Sequence, residues 1–319
     1  MRRREFFTLA GAAIMWPLAS AGQPKPMPVI GILDPDVSNI FDAFVEGMRD
    51  LGYVEGRNIA YVRKLVPAGS SIPSLVAELV DLKVDVIVTV SVALIDAARR
   101  ATTSIPIVSL VTGDPVAAGQ VDSLAHPGGN VTGLSMQNDD LSAKRVELLF
   151  EMVPNLKDIS VFRYFEYYEG GAWRATEQAA QRLGLRLHPA QLRALDSFEP
   201  AFQGAAAAHV EAVDVLSAPF FYANRKRLVQ LAAKYRLPAI YDSADFVRSG
   251  GLMSDGVVFT DMGRRGASFV DKILKGANPG DLPIEQPTKF ELAINLKAAH
   301  ALGLNLPPTL LARADVLIE

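Results

Sequence analysis

The sequence predicts an α/β fold made of two doubly wound parallel-sheet lobes that face each other. Three observations predict it. Short apolar runs of strand length recur along the chain, and residues at helical spacing separate them. Strand and helix alternate without a break, which is the pattern of a parallel sheet with helical crossovers. The alternation then restarts after Gly133, so the chain carries two similar halves.

Residues 29–33 (VIGIL) form an apolar run closed by Asp34-Pro35, as suits a buried parallel strand. Phe41, Phe44, Val45, Met48 and Leu51 recur at helical spacing until Gly52 stops them. A strand at 58–62, a helix at 71–82, a strand at 85–90, a helix from about 93 to 102 and a strand at 106–110 complete the first half. The second half reads helix 139–152, strand 159–162, helix 172–183, strand 185–188 and helix 198–208. Strand 213–216, helix 223–236 and strand 239–241 follow, and a helix from 261 to 275 and a strand at 290–294 end the series. A chain of 319 residues fills two lobes of ordinary size.

The first 21 residues read as an address. Arg2-Arg3-Arg4 precede an apolar run from Phe6 to Trp16, and Ala19-Ser20-Ala21 offers small residues where a signal peptidase cuts. The run is too short to span a hydrocarbon core of about 30 Å. Export to the periplasm with cleavage near Ala21 is expected, by the general secretory or the twin-arginine route. Beyond the leader, 29 basic and 34 acidic side chains give a net of −5, which leaves no basic surplus for phosphates and argues against nucleic acid. The chain has no cysteine, which excludes disulfides, thiolate metal sites, a cysteine nucleophile and a lipidated N-terminal cysteine.

Four segments carry a family resemblance: 41–56 (FDAFVEGMRDLGYVEG), 113–133 (GDPVAAGQVDSLAHPGGNVTG), 236–253 (RLPAIYDSADFVRSGGLM) and 271–319. In them the chain resembles the substrate-binding proteins of ABC transporters, of the kind described as tryptophan/tyrosine-type, with a type I periplasmic-binding-protein fold. The resemblance implies that three crossovers form a hinge. It places lobe one at 27–135 plus 257–284 and lobe two at 136–256 plus 285–319. It also implies capture of a small organic ligand by hinge closure and delivery to a permease in the inner membrane.

Ligands of open parallel sheets bind beyond the carboxyl ends of strands. In lobe one those ends carry Asp34, Ser38 and Phe41, then Ser91 and Val92, then Thr112, Gly113, Asp114 and Pro115. In lobe two they carry Tyr164, Phe165 and Tyr168, then Pro219 and Phe220, then Tyr241, Asp242 and Ser243. Hydroxyls and free amides at helix starts suit a carboxylate, and aromatic side chains suit an apolar or planar body. An amino acid or an aromatic carboxylate is the expected ligand. Ser38, Ser91 and Asp114 have a second reading as helix caps. Two stretches depart from the family pattern: the aromatic run 164–168 (YFEYY) replaces an Asn/Pro-type turn, and Asp255 stands where relatives carry tyrosine. The first would rebuild a pocket wall or pack the surface; the second would pair with a ligand amine or lie in solvent.

Enzyme chemistry finds no support. There is no G-x-S-x-G elbow, no Walker loop and no G-x-G-x-x-G turn after a strand. The four histidines, His126, His188, His209 and His300, are isolated, so neither a metal site nor a cofactor is expected. A monomer is expected. A periplasmic sensor docking on a membrane receptor is the alternative to a transport component.

Overall fold

Sustained apolar runs make the strands, and amphipathic segments with one buried face make the helices that cover them. The computed structural model describes residues 27–36, 38–67, 70–136, 138–164 and 170–319. The leader, and the expectations placed on it, lie outside the described residues. The chain opens with β1 (Val29–Asp34), α1 (Ser38–Asp50), β2 (Ala60–Leu65) and α2 (Ile72–Asp81), followed by β3 (Val86–Val90), α3 (Val92–Ala101), β4 (Ile107–Val111) and β5 (Val131–Gly133). These strands form one parallel sheet in the order β2-β1-β3-β4-β5.

The chain then crosses to a second sheet. Its elements begin with α4 (Asn138–Met152), β6 (Asp158–Tyr164), α5 (Gly170–Leu183), β7 (Arg186–Leu192), α6 (Phe198–Ala207) and β8 (Ala212–Val215). They continue through α7 (Pro219–Ala223), α8 (Arg225–Lys234), β9 (Ala239–Tyr241), α9 (Ala244–Arg248) and β10 (Met253–Val257). Helix α10 (Phe259–Leu274) returns to the first sheet. The chain crosses once more into β11 (Phe290–Asn295), α11 (Leu296–Leu302), α12 (Pro308–Leu311) and β12 (Val316–Ile318). The second sheet runs β12-β11-β10-β9-β8-β6-β7, so its β7-β6-β8-β9-β10 part repeats the topology of the first.

Glycine explains how α10 docks so far from its sequence neighbours. A Cβ on Gly263 would lie 2.2 Å from the Ile40 carbonyl oxygen, and one on Gly47 would lie 2.9 Å from that of Arg264. Only two glycines at this crossing let α1 and α10 touch backbone to backbone. The other two crossing segments pair with each other: Ser135 N donates to the Glu285 carbonyl and Glu285 N to that of Gly133, both at 3.0 Å. Three crossings side by side make the hinge.

Besides the short helices α9, α11 and α12, which the sequence reading did not include, several features differ from it. The second sheet is not wholly parallel, because β11 runs antiparallel to β10, with Met253 opposite Ile294. It enters from the hinge and so travels in the opposite sense. Strands β5, β10 and β12 carry no sequence signal of their own: two have three residues each, and β10 (MSDGV) is half polar. The expected helix 223–236 is α8, and the short α7 before it, which the sequence did not announce, is set apart from it where Asn224 leaves helical geometry at φ −105.

Candidate functional site: a cleft between the sheets

In a sheet ordered 2-1-3-4-5, the crossovers after the first and third strands leave on opposite faces, so a crevice opens at their carboxyl ends. Both sheets have that point, and the two crevices face each other. The cleft between them has a volume of about 960 Å³. From the first sheet come Pro35 and Asp36 after β1, Val66 and Pro67 after β2, Ser70, Ser71, Ile72 and Pro73 at the start of α2, and Ser91, Ala93 and Leu94 at the start of α3. From the second come Tyr164 at the end of β6, Ala194, Leu195 and Asp196 after β7, and Pro219, Phe220, Ala223 and Asn224 after β8. Tyr164 and Phe220 stack with ring centroids 4.5 Å apart, held edge-on by Phe198 and Phe221 behind them. The wall is therefore a fixed aromatic plate, suited to a flat apolar body.

At the inner end lies a chamber of about 30 Å³ that shares Ser91 and Pro219 with the cleft. Asn39, Ser217, Tyr222 and Asp242 line it as well. Asn39 Nδ2 donates to Asp245 Oδ2 at 2.7 Å, and the Tyr222 hydroxyl donates to the same oxygen. One bond of this pair joins α1 on the first sheet to α9 on the second. Burial pushes the Asp242 carboxyl above the usual range, against the opposing pull of the Ser217 hydroxyl and the Arg145 charge. Burial and the bond to Asp245 push the Tyr222 phenol up as well.

Ser91 is the strained residue of the site. It has φ +68 and ψ 150, a region almost reserved for glycine, and it makes no side-chain cap bond to α3. Its side chain therefore does not cap α3, and the residue lines both cavities.

The other expected site residues divide. Tyr164, Pro219 and Phe220 line the cleft with Ser91. Asp34 instead holds Arg63 of β2, whose Nε donates to its Oδ2 at 2.8 Å, and the same guanidinium lies 5.7 Å from the Phe41 ring centroid. Phe41 is fully buried core. The Val92 side chain packs toward Gly113, and its carbonyl accepts from Gln120 Nε2 at 2.9 Å. The buried Thr112 Oγ1 has no partner among the described residues, and the Thr112 carbonyl accepts from Met136 N. Asp114 caps the next turn, accepting from Val116 N and Ala117 N at 2.9 and 3.0 Å. It stands with Pro115 on a separate polar cavity of about 300 Å³ beside the hinge. Tyr241 stacks on Phe246 in the core, and Ser243 caps α9 by accepting from Asp245 N. Ser38 begins α1; its side chain, Phe165 and Tyr168 lie outside what the structure describes. Asp255 is neither solvated nor on the cleft: it is buried on β10, with Lys144 Nζ 3.6 Å from its carboxylate.

Sequence reasoning missed Asn39, Ser217, Tyr222, the α2 start and Leu195-Asp196. Ser217 was within reach, since it precedes Pro219 at a strand end. Asn39 and Tyr222 were not, because their roles depend on two sheets meeting. Another cavity, of about 760 Å³, opens among Arg99, Arg100, Asn130 and Asn278 on the first sheet alone. Lined from one lobe only, it cannot clasp a ligand between two.

Two facing doubly wound sheets, three crossings and an interposed cleft define a protein of the type I periplasmic-binding class. The chain belongs to the family of ABC transporter substrate binding proteins, whose model matches residues 29–318. It is 28% identical over 287 residues to a tyrosine-binding protein of Clostridioides difficile, covering 85% of this chain and 78% of that one. It superposes with a TM-score of 0.83 on an ABC domain in complex with L-Trp from Streptococcus pneumoniae, at 23% identity over 91% of this chain and 99% of that one. A conserved domain protein of Vibrio cholerae gives a TM-score of 0.82 at 27% identity, with coverages of 91% and 99%. The family binds substrates for transport and is not one of enzymes.

Proposed function

We propose that the protein is the periplasmic component of an ABC importer and that its cleft captures an aromatic amino acid or a closely related small carboxylate. The stack of Tyr164 on Phe220 carries this reading, because it sets a flat apolar surface at the crevice of the second sheet. Facing it, the first sheet offers the Ser91 hydroxyl and the open amides at the start of α3, which suit a carboxylate. A tyrosine-binding relative and a tryptophan-bound structural neighbour support the same ligand class. The N-terminal leader supports export, and no helix among the described residues is long and apolar enough to cross a membrane.

The cycle needs no bond to be made or broken. Residues 27–135 plus 257–284 and residues 136–256 plus 285–319 move as two bodies about the hinge, close on the ligand and present the closed shape to a permease. Ligand drives closure only by as much as it prefers the closed state. A thermal-shift screen of amino acids and aromatic carboxylates tests the ligand class. At 100 times its dissociation constant, a true ligand adds about 2.7 kcal/mol of stability. A screen in which sugars shift the transition and no aromatic compound does would contradict the assignment.

A further inference from the structure

We propose that the cavity of about 760 Å³ on the first sheet is a second binding site, and that it takes a neutral, hydroxyl-rich compound of sugar size. The cavity shares no lining residue with the cleft or its inner chamber, so the proposal does not depend on what the cleft binds.

The acceptors of the site come from three amide side chains, Gln120, Asn130 and Asn278. In each, the amino group is committed to oxygens that can only accept, so the amide oxygen is what remains for a guest. Gln120 Nε2 donates to the Val92 carbonyl and to Asp96 Oδ1, both at 2.9 Å. Asn130 Nδ2 donates to the carbonyls of Thr102 and Ile105 at 3.1 and 2.9 Å. Asn278 Nδ2 donates to Asp281 Oδ2 at 3.2 Å. Gln120 is the strongest pointer to a ligand. It is 3% exposed, and its buried Oε1 has no hydrogen-bond partner among the described residues. A buried acceptor left in that state is costly, and a donor brought in by a guest relieves it.

The donors stand on α3 and just beyond it. Asp96, Arg99 and Arg100 are spaced to share one side of the helix, and Thr103 follows its end. Arg99 is engaged, since its Nη1 donates to the Gly119 carbonyl at 2.7 Å and lies 3.9 Å from Asp96 Oδ1. Arg100 is exposed and has no hydrogen bond or ion pair among the described residues, and Thr103 adds a hydroxyl. Backbone is within reach as well, because no atom lies within 4 Å of where a Cβ on Gly129 would stand.

This mixture selects against charge of either sign. An anion would meet three amide oxygens and the Asp96 carboxylate, and a cation would meet two guanidinium groups. A hydroxyl donates to the first set and accepts from the second, and several hydroxyls on one frame serve both at once. Every lining residue belongs to the first lobe, so a guest here neither drives nor blocks closure.

Titration calorimetry on the purified protein tests the site with sucrose, trehalose and sorbitol, and with citrate and putrescine as anionic and cationic controls, each up to about 10 mM. At least one neutral probe is expected to bind, and neither control. The double variant R100A/T103V changes two exposed positions outside the cleft. It is expected to weaken that probe by about 10-fold or more and to leave the response to L-tyrosine and L-tryptophan unchanged. Failure of all three neutral probes, a control that binds as tightly, or an unaltered affinity in the variant would overturn the proposal. So would a probe that L-tryptophan displaces, because its place would then be the cleft. A protein that binds a neutral probe as described and no aromatic amino acid would retain this site and lose the reading of the cleft.

Discussion

Ser91 holds a backbone conformation that costs a side-chain-bearing residue about 1–3 kcal/mol, at a place where both cavities meet. Glycine adopts the same angles without strain and gives back part of the gain as unfolded-state entropy, about 0.5–1 kcal/mol. S91G is therefore expected to raise the unfolding temperature by a few degrees, and a lower transition in a thermal melt would remove the strain argument. Tyr164 and Phe220 form the aromatic plate, so Y164A or F220A is expected to weaken the ligand by about 1–3 kcal/mol in calorimetry while the lobes still fold. Asp255 shows how a departure from the family pattern can mislead. Its carboxyl is pushed up by burial, against the opposing charges of Lys144 and Arg145. A carboxyl whose pKa is higher folded than unfolded takes up its proton first in the folded state, so its contribution to stability grows as pH falls from neutral toward the ordinary carboxylate range. D255N lacks that term. Its stability relative to the wild type should be greatest near pH 7 and should decline toward pH 5, and a pH-independent difference between the two melts would contradict this.

At the scale of elements, a bond from Asn39 to Asp245 ties α1 to α9 across the cleft. Removing it leaves Tyr222 and Arg248 still on Asp245, so the second lobe keeps its local structure. N39A is therefore expected to shift the ligand-free protein toward open forms, seen as a larger radius of gyration in solution scattering. An unchanged radius would show that the bond does not bias closure. The elements also show what was legible in the sequence and what was not. Apolar runs such as 29–33 and 86–90 announce buried parallel strands, and the strand ends name loops of which Ser91, Tyr164, Pro219 and Phe220 line the cleft. Strand ends do not say which way a side chain turns. Asp34 and Phe41 sit beside the crevice yet point to Arg63 and the core, since a buried β1 carboxylate needs a cation and β2 supplies one. The antiparallel β11 was hidden for a different reason, because its direction is set by the hinge and not by its own residues.

For the molecule as a whole, the proposed site belongs to neither sheet alone, since the cleft is lined from both. Each supplies one crevice, and the chamber exists only where Asn39, Ser91, Ser217 and Asp242 meet. Affinity and shape are then one quantity, since whatever stabilises the closed arrangement also tightens the ligand. The most direct test is small-angle scattering of the protein with and without L-tyrosine or L-tryptophan at a concentration that calorimetry shows to be saturating. The account predicts a smaller radius of gyration with ligand present. Superimposable curves under saturating conditions would contradict it, because a guest held by two closing bodies cannot leave their separation unchanged.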